Sequence, residues 1–436
     1  MVRDINSVLV IGGGTMGSQI AAACAAAGRS VLILELDAAL ARRAVDRALA
    51  TAQSDEEKAQ LARHIQSGIL KDRQGEIGSY DWLCEAIDED LQAKRTLFAQ
   101  LEPLRRDGSV VSTNTSGILL REITGGVPER LRRDIAVTHF FNPVRVMRLL
   151  EIVAGPETRA EARDTLAAFC RDALGKGIVY AKDTVNFIGN RIGCFWILSG
   201  LHKAQPYLTA GLSMEKIDAL MGAPVGLPST GLYGLVDLIG LDVMNHIGEN
   251  LAVNLPAGDA GSAYTRFPAG EKALLARGQL GRKTGGGFYR VRKAADGSKT
   301  KEVFDVEANG WRPAAAVELA PRHARADTLL FSDDPEGRFA WDLMGGTLLY
   351  AAGLIPEISD DIFGIDRAMR WGFAWKKGPF ELLDEIGPAR VIERVRGAGQ
   401  QVPRMLAALD SAHAATFYRD GEYLGLDGVY RSLPPE

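Results

Sequence analysis

His139 and Glu151 are the residues of this sequence whose types and spacing point most directly to chemistry. They lie in A-V-T-H-F-F-N-P-V-R-V-M-R-L-L-E-I-V, where two apolar runs flank an Asn-Pro turn at Asn142 and Pro143. The pattern predicts a strand, a loop and a returning strand that brings Glu151 back beside His139. A carboxylate on one imidazole nitrogen fixes the tautomer and raises the basicity of the other, which makes a proton acceptor. A lone histidine at a strand end is more often structural. A glutamate on the return strand, downstream of a nucleotide-binding pattern, turns the reading toward catalysis. The other histidines show no such partner in the sequence.

The start of the chain supplies a site for a hydride acceptor. Ser7 to Ile11 reads as an apolar strand, Gly12, Gly14 and Gly17 form G-x-G-x-x-G, and an Ala-rich helix follows. The first glycine permits the tight turn and the second lets the backbone approach a pyrophosphate. The third lets the helix pack against its strand, with the helix N-terminus facing the phosphates. A second strand, Val31 to Leu34, ends in Glu35, where an acidic residue would hold a ribose diol. No arginine adjoins Glu35 to receive a ribose phosphate, so NAD is expected rather than NADP.

The elements that must position these groups follow from length and pattern. At 436 residues the chain calls for two or three domains. A net charge of −4 gives no electrostatic case for nucleic acid or an anionic membrane. No apolar run is long enough to span a bilayer. The first strand begins within ten residues of Met1, which leaves no room for a targeting peptide. Cys24, Cys84, Cys170 and Cys194 lie far apart with no metal-ligand spacing and read mainly as core residues. A cytoplasmic protein is expected.

Candidate strands are 7–11, 31–35, 82–87, 109–113, 135–139, 148–153 and 177–181, and helical patterns lie at 15–27, 38–66, 90–105 and 157–174. This alternation predicts an α/β, Rossmann-type, doubly wound domain over 1–184. A helical domain follows at 185–290, then a hairpin over Asp296-Gly297 and a connector within 291–337. A second helical domain covers 338–436, with strand character in a Tyr-rich stretch at 416–431. The two helical domains repeat one another. Ile217-Asp218-Ala219-Leu220-Met221 echoes Ile365-Asp366-Arg367-Ala368-Met369. Leu235-Val236-Asp237-Leu238-Ile239-Gly240 echoes Leu382-Leu383-Asp384-Glu385-Ile386-Gly387. The aligned Asp and Gly residues read as caps and tight turns. Two such copies can pack with pseudo-two-fold symmetry, so a monomer or weak homodimer is expected.

Together these stretches resemble the L-3-hydroxyacyl-CoA dehydrogenases of fatty-acid β-oxidation, essentially from end to end. The resemblance rests on the glycine loop, Glu85-Ala86-Ile87-Asp88-Glu89-Asp90-Leu91, Ser112-Thr113-Asn114-Thr115-Ser116 and His139-Phe140-Phe141-Asn142-Pro143. It continues in Leu150-Glu151-Ile152, Lys182-Asp183-Thr184, Asn190-Arg191 and Gly378-Pro379-Phe380-Glu381-Leu382. The two helical copies are similar to those of multifunctional β-oxidation proteins. The resemblance is closest to bacterial fusions in which an enoyl-CoA hydratase domain follows.

The resemblance implies a role for each matched position. His139 would be the base, Glu151 its partner, and Ser116 and Asn190 would hold the reacting oxygen. Gly12, Gly14, Thr15, Met16, Gly17 and Glu35 would bind the adenine half of NAD, with Ala86, Glu89, Lys94 and Asn142 near the nicotinamide half. The implied reaction is oxidation of an (S)-3-hydroxyacyl-CoA to the 3-ketoacyl-CoA. The partners would be the acyl-CoA thioester, an enoyl-CoA hydratase domain or subunit, and a thiolase. The sequence departs from the pattern at Gly117 and Val185, and at Leu227-Pro228-Ser229-Thr230-Gly231 where the simple enzymes keep Gly-Pro-Phe. The last bears on acyl-chain preference more than on the reaction.

Some positions carry a plainer reading. Ser116 would also serve as a cap for a helix starting near Ile118. Lys94 fits a solvated helix face. Arg42, Arg43, Arg47, Lys58 and Arg63 fit a solvated face better than a phosphate site. Two other function classes share the scaffold. One is a hydroxy-acid oxidoreductase acting on free acids. The other is a helical platform that binds NAD without turnover, against which the His139, Glu151, Ser116 and Asn190 set argues.

Overall fold

The computed structural model describes residues 2–293, 297–305 and 308–435. The chain divides into two compact units. The first runs to Ile188 and includes Glu357–Ser359; the second holds Gly189–Pro356 and Asp360–Pro435.

The first unit begins β1 (Ser7–Ile11), α1 (Thr15–Ala26), β2 (Ser30–Glu35), α2 (Ala38–Leu49), α3 (Asp55–His64) and β3 (Ile65–Ile69). It continues with β4 (Trp82–Glu85), α4 (Leu91–Leu101), β5 (Val110–Thr113), α5 (Leu120–Ile123), α6 (Glu129–Asp134) and β6 (Ile135–Phe140). It ends with β7 (Leu149–Ala154), α7 (Ala160–Asp172) and β8 (Gly177–Ala181). The strands form one sheet in the order β3-β2-β1-β4-β5-β6-β7-β8. Only the β6–β7 pair is antiparallel. This is the expected doubly wound sheet, and its strand order reverses between β1 and β4, where such sheets open a crevice at their carboxyl ends. The central strands are apolar and buried, and α1 and α7 cover one face through Ile20, Cys24, Leu166 and Cys170. All four cysteines are buried and free.

The expected single helix over 38–66 is instead α2, a turn, α3 and a strand. Ser54 stops the run: its Oγ accepts from Glu57 N at 3.2 Å, while the Glu57 carboxylate accepts from Gln53 N at 2.8 Å. That reciprocal cap starts a new helix. β3 then pairs with β2 from Val31↔Ile65 to Glu35↔Ile69. Its sequence, I-Q-S-G-I, carries little strand propensity, and pairing with β2 decides its conformation.

The second unit opens with the long helix α8 (Gly189–Thr209), then α9 (Met214–Leu220), α10 (Tyr233–Ile239), α11 (Leu241–Asn254) and α12 (Ala269–Ala276). A small antiparallel sheet follows: β9 (Tyr289–Lys293), β10 (Lys299–Asp305) and β11 (Gly310–Pro313). The expected hairpin is β9–β10; of its turn, Asp296 lies outside the described residues. The stretch read as a plain connector contributes a third strand, β11, paired to β10. After α13 (Ala326–Leu329) and α14 (Pro335–Ala340), a π-helical turn at Trp341–Gly345 leads into α15 (Gly346–Gly353). Then come α16 (Ile362–Gly372), α17 (Pro379–Ile386), α18 (Pro388–Gly397) and α19 (Arg404–Ser411). A last sheet holds β12 (Tyr418–Arg419), β13 (Glu422–Leu424) and β14 (Tyr430–Ser432).

The repeated aspartates make repeated networks. Asp218 accepts from Tyr233 N at 2.7 Å, Gly234 N at 3.2 Å and Tyr289 Oη at 2.8 Å. Asp366 accepts from Phe380 N at 2.8 Å, Glu381 N at 3.2 Å and Tyr418 Oη at 2.7 Å. Asp237 takes the N–H groups of Phe288 and Tyr289, and Asp384 those of Phe417 and Tyr418. Each aspartate pair therefore ties a helix N-terminus and the start of a strand to one buried point.

Candidate active site

The antiparallel pairing of β6 and β7 sets His139 opposite Glu151. Nδ1 of His139 lies 2.6 Å from Oε2 of Glu151, and both side chains are buried. With a carboxylate as partner, Nδ1 carries the proton and donates it, which leaves Nε2 as the basic nitrogen. The other oxygen of Glu151 accepts from Ile188 N at 3.0 Å, so the carboxylate is itself oriented. Phe141 and Phe187 enclose the imidazole, their ring centroids 4.6 and 5.4 Å from its own.

The glycine loop is cut to fit a dinucleotide. Gly12 has φ +93°, and a Cβ there would lie 2.6 Å from Ala86 O. A Cβ on Gly17 would lie 1.8 Å from Gly12 O, so α1 packs closer than any side chain allows. At Gly14 a Cβ would meet nothing within 4 Å. Gly14 gives α1 no side-chain cap, which leaves the first-turn N–H groups, through Thr15, Met16 and Gly17, for an anion. Glu35 Oε1 accepts from Gly13 N at 2.7 Å, which holds a carboxylate at the end of β2. Arg47, exposed like Arg42, Arg43, Lys58 and Arg63, touches the same loop, donating to Gly13 O at 3.1 Å.

Lys94 is not on a solvated face. It is 1% exposed, with Nζ 2.6 Å from Glu85 Oε1 and 3.4 Å from Glu89 Oε2. The sequence reasoning passed over Glu85, the buried partner that draws this lysine inward; its other oxygen accepts from Thr113 Oγ1. Glu89 Oε1 accepts from Thr115 Oγ1 at 2.6 Å, Ser116 N at 2.8 Å and Gly117 N at 3.0 Å. Burial works against its charge, but Lys94 and these hydrogen bonds hold its carboxyl below the usual range. Glu89 thus orders the loop that presents Ser116, whose side chain is exposed. Ser116 does not cap the next helix: Asp183 does, accepting from Leu120 N at 2.6 Å and Arg121 N at 3.0 Å.

Ala86 N donates to Ile11 O at 2.8 Å, across the ends of β1 and β4. Asn142 is braced by Gln19 of α1, whose Nε2 donates to Asn142 Oδ1 at 3.0 Å and whose Oε1 accepts from Val144 N at 2.8 Å. Behind this brace lies a groove of about 570 Å³, lined among others by Leu61, Arg145, Val146, Leu174 and Lys176. Lys176 donates to Met147 O at 2.8 Å, and burial lowers its ammonium to about 8. The groove had no signature in the sequence, because its walls come from four separate stretches. In the second unit, Asn190 stands on the first turn of α8. Of the histidines that seemed to lack partners, His323 has one, with Nε2 2.7 Å from Asp334 Oδ2.

Residues 7–184 match the family model described as 3-hydroxyacyl-CoA dehydrogenase, NAD binding domain, and residues 187–291 match that of its C-terminal domain. A probable 3-hydroxyacyl-CoA dehydrogenase of Caenorhabditis elegans is 34% identical over 67% of this chain and 98% of its own length. The chain belongs to the 3-hydroxyacyl-CoA dehydrogenase family. A longer probable 3-hydroxyacyl-CoA dehydrogenase, from Bacillus subtilis, is 34% identical over 99% of this chain, which spans 58% of that relative's length. The crystal structure of 3-hydroxybutyryl-CoA dehydrogenase from Escherichia coli K12 shares the fold, with a TM-score of 0.72 and 23% identity over 94% of this chain and all of the other. The first unit is thus the family's NAD-binding domain. Among the described residues, no helix is long and apolar enough to cross a membrane.

Proposed function

We propose that this chain reversibly oxidises the 3-hydroxyl of an (S)-3-hydroxyacyl-CoA to the ketone, as part of fatty-acid β-oxidation. The buried His139–Glu151 pair carries the reading. NAD, held by the glycine loop and Glu35, would supply the hydride acceptor. His139 Nε2 takes the hydroxyl proton, and Glu151 stabilises the imidazolium through Nδ1–H. General-base action of this kind contributes about 10²–10⁴-fold. Ser116, on the loop ordered by Glu89, donates to the oxygen as it gains negative charge. Asn190 keeps the role the resemblance gives it, a second donor to that oxygen. Ala86, Glu89 and Asn142 would lie near the nicotinamide half, as the resemblance implies, and the buried Lys94 would act there through its pair with Glu89. Hydratase and thiolase activities would come from outside these residues.

The test is NADH oxidation with acetoacetyl-CoA by the wild type and His139→Gln. The variant should lose about 10²–10⁴-fold in kcat while binding NADH as before. Equal turnover by both proteins would remove His139 from the mechanism. Turnover of free 3-hydroxy acids but not of thioesters would move the substrate outside the CoA class.

A further inference from the structure

One cavity of the first unit has no part in the proposed reaction. It lies at the amino ends of β1, β5 and β6, and its volume is about 570 Å³. The crevice that takes the cofactor is at the other, carboxyl end of the same sheet. Apart from Gly108, every residue lining the cavity is charged, and four are arginines: Arg3, Arg130, Arg133 and Arg159. An apolar ligand finds nothing here to bury against.

The four guanidiniums differ in how many of their donors are used. Arg130 is saturated. Its Nε donates to Glu102 Oε1 at 2.6 Å, its Nη2 to Glu102 O and Arg105 O at 2.7 and 3.0 Å, and its Nη1 pairs with Asp107. Arg3 uses Nε on Glu161 at 3.0 Å and Nη1 on Gly108 O at 2.8 Å, which leaves Nη2. Gly108 makes room for it: a Cβ there would lie 1.9 Å from Arg3 Nη1. Arg159 pairs with Asp134 through Nη2, and its Nε has no partner among the described residues. Arg133 is half-exposed, and among the described residues its guanidinium meets only Glu129, at 3.6 Å, beyond hydrogen-bond length. Arg3, Arg133 and Arg159 therefore keep N–H donors that no protein group takes, around one cavity.

The carboxylates present do not cancel this. Asp107 is engaged by Arg130, and Asp134 by Arg159 and by Arg105 Nη1 at 2.9 Å. Four arginines against three carboxylates leave the lining positive. Guanidinium N–H groups bind phosphate oxygens in pairs, and arginine is the usual residue for that recognition. A phosphate offers acceptors in several directions and so matches three separated cations better than a planar carboxylate does. The volume falls within the range of about 300–1,000 Å³ usual for small-molecule sites.

We propose that this cavity binds a small phosphorylated anion, at a site separate from that of the cofactor, through Arg3, Arg133 and Arg159. The experiment titrates inorganic pyrophosphate into the full chain by calorimetry, with NADH at saturation so that the glycine loop is already filled. One equivalent should bind. Arg133→Ala, which removes only the long pair with Glu129 from the folded protein, should weaken binding about tenfold or more. Arg171→Ala is the control: this half-exposed arginine of α7 pairs with its neighbour Asp172 at 2.8 Å, outside the cavity, and its loss should leave the affinity within twofold. No binding in the presence of NADH overturns the proposal. So does an affinity that Arg133→Ala leaves unchanged, or one that Arg171→Ala weakens as much, since net charge alone would then explain it. Should Arg133→Ala give little folded protein, Arg3→Ala replaces it, with the same expected loss.

Discussion

The two helical stretches of the second unit are held by one device and differ in nearly everything around it. Asp218 and Asp237 in the first, and Asp366 and Asp384 in the second, accept the same backbone N–H groups and the same tyrosine hydroxyl. Away from these points the copies diverge. One unbroken helix, α8, opens the first; α14, a π turn and α15 open the second. The first exposes Leu238 and Val243, at 54% and 41%, where the second has Glu385 and Arg390. Buried N–H groups with a single acceptor tolerate no drift at that acceptor, because an unmatched donor costs its full desolvation. Surface positions and helix lengths carry no such constraint. The first copy carries Asn190 and Arg191, and the helical stretch at 335–353 of the second contains no asparagine.

The sharpest way to break the comparison is to remove the shared device from each copy in turn. Asp218→Ala and Asp366→Ala each strand two N–H groups and a phenol in a buried site. Each should lower the stability of the full chain by about 3–5 kcal/mol, read as a fall in the urea midpoint. A loss confined to one copy would mean that the networks match in shape but not in function. Asparagine sharpens the test. Burial raises both carboxyls, but Asp366 also faces the charge of Glu381, where the first copy has Gly234. Asp366→Asn relieves that repulsion and should cost less than Asp218→Asn.

What the sequence made legible follows from how local each feature is. His139 and Glu151 are twelve residues apart on neighbouring strands, and the Asn-Pro turn between them announces the return. The glycine loop is legible because its steric demands fall within six consecutive residues. The aspartates were visible as a repeat and were read as caps, but their strand partners, 71 and 52 residues on for the tyrosine hydroxyls, were not. Lys94 looked like a surface lysine because the buried Glu85 that attracts it stands on another element. The hydrogen bond from Arg191 Nε to Tyr350 Oη joins residues 159 apart and has no sequence pattern. The break between α2 and α3 was written in Ser54 and Glu57 but masked by continuous helical periodicity.

Glu271 is an ionisable cost of the first copy. It is buried on α12, accepts from Gln205 Nε2 at 3.2 Å, and its Oε2 has no partner among the described residues. Burial raises its carboxyl from 4.5 to about 7. The folded value lies above the unfolded one, so the folded state favours the protonated form. The resulting stabilisation is complete below the unfolded value and is lost as pH rises through about 7. Glu271→Gln should therefore gain stability over the wild type as pH increases from 5 to 8, by up to about 3 kcal/mol. Urea midpoints at the two pH values decide it: an equal difference at both would show that Glu271 is ionised throughout.

The smallest effect tests the claim that the copies' surfaces are unconstrained. Leu238→Glu installs in the first copy the residue found in the second. With half its area already in water, the leucine contributes little, and the change should stay within about 0.5 kcal/mol with activity unaltered. The reciprocal change, Glu385→Leu, removes a pair with Lys377 at 2.7 Å. Both partners are partly exposed, so the loss should fall between about 0 and 1 kcal/mol. If Leu238→Glu instead cost several times more, or lowered turnover with acetoacetyl-CoA, that face of α10 would be bearing on something. The difference between Leu238 and Glu385 would then mark a surface in use on one copy rather than drift between two.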